Sequence, residues 1–150
     1  MKHNQILGFT LIELLVVIAI IGVLAGVVLV AINPAERLAQ ARDSGRKNDI
    51  GQLATALEAY FTTYTQYPAN LYELTTADLK RVPTDPTING ACTDTDPSGC
   101  YGYYYEPTVV AIWATLESEA ETQGGDIVYC WESDQGRFLR GTDAGDCYDQ

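Results

Sequence analysis

From Phe9 to Ile32 the chain carries only one charged side chain, Glu13. As a helix this run would be about 36 Å long. That exceeds the roughly 20 apolar residues needed to cross a bilayer. No other feature of the 150-residue sequence constrains its fold as strongly. A segment so apolar on every side must be covered by lipid or by other helices. The acid near its start therefore needs an explanation, because an ionised side chain is costly in such surroundings.

The rest of the chain is a different material. Hydrophobic residues make up 47% overall, yet the sequence beyond the run is polar and globular in character. The formal net charge is −11. From Val82 to Gln150 there are thirteen acids against two bases, Arg137 and Arg140. An acidic surface of this kind disfavours phosphate backbones, so no direct nucleic-acid partner is expected.

Asn33-Pro34 closes the run, and a kink or local break is expected there. Helical periodicity then resumes. Ile50, Leu53, Ala54, Leu57, Tyr60, Phe61 and Tyr64 recur on one face, and Tyr67-Pro68 ends the pattern. The spacing predicts one long helix over 10–64, apolar all round at first and one-sided later. Beyond it, a short helix is expected near Leu71–Leu74 or Thr76–Lys80. "YGYYYEP" and "TVVAIWATLES" read as strands, and "GGDIVYCWESDQGRFLRG" as a hairpin turning at Ser133–Gly136. The fold class is α+β, with the one-sided half of the helix covered by a small antiparallel sheet. The expected divisions are 1–8, a leader; 9–32, the membrane and assembly half of the helix; 33–65, its amphipathic half; and 66–150, a globular head.

All four cysteines lie in the head. An even count behind an export-type N-terminus reads as two disulfides. Sequential pairing, Cys92–Cys100 and Cys130–Cys147, closes the shortest loops. Metal binding has less support, since no C-x-x-C occurs and the single histidine is His3. Asp94, Asp96, Ser98 and Gly99 begin like a calcium loop, but its twelfth position would be Tyr105 rather than glutamate. No metal or cofactor is expected, with calcium left possible and unassigned. Nucleophile-elbow, zinc-protease, Walker and dinucleotide motifs are all missing, so no enzymatic role and no catalytic residue is expected.

Three readings compete for the N-terminus: a secretory signal, a single-span anchor, and a leader cut at Gly8–Phe9. "KHNQILG" followed by "FTLIELLVVIAIIGVLAGVVL" resembles the N-terminus shared by type IV pilins and type II secretion pseudopilins. Further on, "QYP", "PTDP", "YYYEP" and "ATLES" are similar to the major pseudopilins. The resemblance implies a pilin-like fold and a structural role. It implies cleavage after Gly8 by a membrane prepilin peptidase, N-methylation of the new terminus at Phe9, and a part for Glu13 in assembly. It also implies partners: identical or related pilin subunits, the peptidase, and a platform protein with its ATPase. The chain would sit in the cytoplasmic membrane with its head outside, then in a periplasmic or extracellular filament.

Arg37, Arg42, Arg46 and Lys47 follow the span and favour the opposite orientation by positive-inside counting. The cysteines and the leader motif outweigh them. Arg46 and Lys47 read either as a solvated helix face or as contacts to a neighbouring head. The alternative function is a single-span protein displaying a small binding domain that does not polymerise.

Overall fold

In a computed structural model, residues 8–77, 79–87, 90 and 99–148 are described. The chain divides into two compact units, Met1–Arg37 and Leu38–Gln150.

The first unit contains helix α1, Leu11–Ile32, and none of its residues is buried. It is long and apolar enough to cross a membrane. The kink or local break expected at Asn33-Pro34 is found there, and it divides the long helix in two. Asn33 caps α1 in the left-handed region, at φ 45° and ψ 77°. Asparagine tolerates that conformation better than most residues. Helix α2, Pro34–Tyr64, begins immediately afterwards. Proline is suited to a first helical position, where no backbone N–H is needed. Asn33-Pro34 thus ends one helix and starts the next.

The second unit is the head. Along α2 the buried face runs Ala39, Asp43, Arg46, Ile50, Leu53, Ala54 and Leu57. Thr65, with φ 58°, stops the helix, and its N–H bonds the Phe61 carbonyl at 2.8 Å. A 3-10 turn at Leu71–Glu73 leads directly into the short helix α3, Leu74–Ala77. The two regions offered by the sequence are therefore bridged by one helical segment.

Four strands follow: β1 Gly102–Tyr105, β2 Val110–Leu116, β3 Ile127–Glu132 and β4 Arg137–Gly141. They form an antiparallel meander in sequence order. A one-turn helix, α4 (Glu119–Thr122), sits between β2 and β3. Strand register separates the two faces. Val110, Ile112, Ala114 and Trp131 pack with Ile50, Leu53 and Leu57 of α2 in the main core. Truncating Leu53 or Leu57 to alanine would cost about 2–5 kcal/mol, because both are fully buried.

The opposite face carries a smaller cluster of Ala111, Val128, Cys130 and Cys147, flanked by Tyr104, Trp113, Leu139 and Tyr148. The 3-10 turn Gly145–Cys147 covers it. Cys130 and Cys147 are disulfide-bonded, with Cα atoms 6.1 Å apart. Tyr148 stacks on Tyr104 at 4.5 Å. The approach of the turn requires Gly141, since a Cβ there would lie 2.4 Å from Asp146 Cβ.

Candidate processing and assembly site

Gly8, Phe9 and Thr10 are exposed and precede the helix. Thr10 is extended, at φ −88° and ψ 150°, and is the N-cap of α1. Its N–H donates to Glu13 Oε2 at 2.9 Å, and its hydroxyl donates to the same oxygen at 2.7 Å. In return the Glu13 N–H donates to Thr10 Oγ1 at 3.3 Å. This reciprocal box satisfies backbone donors that the first helical turn cannot bond internally. Phe9 precedes this cap and lies outside α1, as the expected helix start at residue 10 implies. The box was legible as Thr-x-x-Glu ahead of an apolar run.

The head buries charge on the helix face that carries the apolar stripe further along α2. Arg46 is 2% exposed. It forks onto Asp85, with Nε to Oδ2 at 2.8 Å and Nη2 to Oδ1 at 3.1 Å. Nη1 donates to Asp43 Oδ1 at 2.7 Å and to Glu117 Oε1 at 2.8 Å. Asp43 also accepts the backbone N–H of Ser118 at 2.8 Å and that of Glu117 at 3.1 Å. It thereby holds the residues just before α4 from another element. Arg42 Nη2 reaches Glu117 Oε2 at 2.8 Å, and Lys47 reaches Glu121 at 2.5 Å.

Burial alone would raise the Asp43 and Asp85 carboxyls. The hydrogen bonds from Ser118, Glu117 and Arg46 to Asp43, and from Arg46 and Thr87 to Asp85, win and hold both below the usual range. Glu117 is lowered chiefly by its bond from Arg42. Arg46 is therefore buried rather than solvated, and Lys47, although part-exposed, pairs with Glu121 of the same head.

The tyrosine strand alternates. Tyr101 is buried and donates to Asp49 Oδ2 at 2.7 Å, and burial followed by that bond pushes its phenol up. Tyr103 faces α2 and donates to the Pro68 carbonyl at 2.7 Å. Tyr104 lies on the other face. Cys92, Asp94 and Asp96 lie outside the described residues. Among the described residues no group of three or more potential metal ligands occurs. Asp143 and Asp146 are occupied with the tail turn, where Asp146 Oδ2 accepts the Thr142 N–H at 2.6 Å.

Residues 4–29 match the prokaryotic N-terminal methylation motif. The chain is 36% identical over 89 residues to type II secretion system core protein G of Pseudomonas aeruginosa. That alignment covers 59% of this chain and 58% of the relative, so the chain spans under two thirds of the relative's length. No solved structure gave a significant match. The chain thus has a prepilin-type N-terminus, an α+β layout consistent with a pilin-like fold, and sequence similarity to a secretion-system core protein.

Proposed function

We propose that this chain is a structural subunit of a type IV pilus-like filament or a type II secretion pseudopilus. In this reading a membrane prepilin peptidase hydrolyses the Gly8–Phe9 amide. Gly8 leaves with a carboxylate, and Phe9 keeps an ammonium. An electrophilic methyl donor then passes its methyl group to that nitrogen, which releases one proton. The processed chain stays in the cytoplasmic membrane through Phe9–Ile32. A platform protein and its ATPase then draw it into a filament beside identical or related subunits. Chemistry is done to the chain rather than by it.

The observation that carries the reading is the methylation-motif match over residues 4–29, which sets Gly8–Phe9 just before an apolar helix with one acid. Every residue of that helix is exposed in the single chain. Lipid would cover it before assembly and neighbouring helices afterwards. Among packed helices a charge must be paired, and the Phe9 ammonium of one subunit is the natural partner for Glu13 of the next. A wrong stagger would leave both charges buried and alone, so the pair would set register more than affinity.

The test is Glu13→Ala, followed in the filament fraction sheared from cells. Loss of filaments with the membrane pool retained is expected. Normal assembly of the variant would overturn the role given to Glu13, and a wild-type chain that never enters the filament fraction would favour a displayed, non-polymerising domain.

A further inference from the structure

The C-terminal end of α2 gathers aromatic rings around one acid. Tyr60 and Tyr64 lie one turn apart, with ring centroids separated by 4.4 Å. Tyr105 comes from β1. It pairs in register with the core residue Val110, so it shares the sheet face that packs on α2. The Tyr60 phenol is held above its ordinary value first by burial and then by Glu73, Tyr64 and Tyr105, which puts all three beside it. Glu73 accepts from Asn70 Nδ2 at 2.9 Å and from the Ala69 N–H at 3.3 Å, so its carboxylate is fixed in place by neutral donors that leave its charge intact. The outer rings are open to solvent: Tyr64 is 51% exposed and Tyr105 is 37% exposed.

Charge at this end has one sign. The last turn of α2 holds no basic residue to offset the negative end of the helix dipole. No lysine, arginine or histidine occurs in 48–79 or in 82–136, and the last turns of α2, the 3-10 turn and β1 all fall in those ranges. We propose that this end of the head docks an arginine-bearing segment of a partner protein, with the guanidinium over the Tyr64 and Tyr105 rings and beside Glu73. The faces of tyrosine rings attract cations. A guanidinium fits better than an ammonium, because it is planar, stacks on an aromatic face and sheds water more readily. An enclosed cage would suit a rounded quaternary ammonium, whereas rings this exposed form an open platform. Tyrosine and arginine are also enriched where proteins meet. The proposal stands on the head alone and does not depend on the filament reading.

The detergent-solubilised full-length chain is titrated into a fluorescently labelled tetra-arginine peptide, and binding is followed by anisotropy. The salt is set to about 0.15 M, where exposed charges more than about 8 Å apart are largely screened. Tyr64→Leu and Tyr105→Leu keep apolar bulk and remove a ring. Tyr64→Phe keeps the ring. Glu73→Gln keeps an acceptor for Asn70 and loses the charge. Asp126→Asn removes an exposed acid just before β3, at the opposite end of the sheet from Tyr105.

Tyr64→Leu, Tyr105→Leu and Glu73→Gln are each expected to weaken tetra-arginine binding about threefold, in line with a single cation–ring or ion-pair contact at an exposed site. Tyr64→Phe and Asp126→Asn are expected to bind as wild type, and tetra-lysine is expected to bind more weakly than tetra-arginine. A wild-type chain that does not bind tetra-arginine overturns the proposal. So does unchanged binding in both leucine variants, and so does a loss in Asp126→Asn equal to that in Glu73→Gln, which would make the attraction a property of the whole acidic surface. Equal binding of tetra-lysine overturns the assignment to arginine.

Discussion

Arg46 and Asp85 form a two-pronged ion pair, at 2.8 and 3.1 Å, that fastens α2 to the segment preceding the sheet. Both residues are buried. The same guanidinium also holds Asp43 and Glu117. Removing it would leave Asp43 and Asp85 buried without their countercharge. Arg46→Met is expected to destabilise the head by about 3–5 kcal/mol. Arg46→Lys should cost less but remain damaging, because an ammonium cannot reproduce the fork. Chemical denaturation of the detergent-solubilised chain checks both, and an unchanged midpoint for Arg46→Met would contradict the role given to the cluster.

The same cluster fixes the sign of the pH dependence. Asp43, Asp85 and Glu117 all have folded-state pKa values below their ordinary ones. Their contribution is fully present above the unfolded carboxylate range, near about 4. It is lost as pH falls through the lower folded values. Stability should be flat from neutrality to about pH 5 and decline below about pH 4. A thermal-unfolding series across that range reads this directly. Arg46→Met, which removes the main countercharge, should flatten the acid limb.

Gly102 lies directly beneath the Trp113 ring. A Cβ at Gly102 would come within 2.1 Å of the indole. Gly102→Ala must displace the tryptophan and disturb the small outer cluster, at an expected cost of about 1–3 kcal/mol. Altered Trp fluorescence together with a lower melting temperature is the expected result.

The Cys130–Cys147 bridge closes a 17-residue separation and holds the tail turn on the sheet. Cys147→Ser is expected to cost about 3 kcal/mol, on the chain-entropy argument for a loop of this size. It should also loosen the Tyr104–Tyr148 stack, which near-ultraviolet circular dichroism would detect.

Legibility followed residue chemistry. The apolar stripe from Ile50 to Leu57 and the four strands could be read because period and burial agree there. The N-terminal continuation of that stripe was not, because its members are Asp43 and Arg46. Hydrophobic periodicity passes over charged residues even when they occupy the same face. Extending the 3,4 spacing backwards from Ile50 would have found them. Asn-Pro signalled the break at Asn33, but the left-handed cap that makes two helices of one needed backbone geometry. Helix α4 is one turn long and held partly by Asp43 from α2, so hydrophobic periodicity could not reveal it, although Ser118-x-x-Glu121 carries a capping signature. At the N-terminus, Gly8, Phe9 and Glu13 were visible as a motif, whereas Thr10 was passed over despite its capping signature.

The measurement that tests the central claim most directly is the intact mass and N-terminal sequence of the protein extracted from membranes. The account predicts a chain beginning at Phe9 and carrying one added methyl group. A chain that still begins at Met1, or one that begins beyond Ile32, would contradict it.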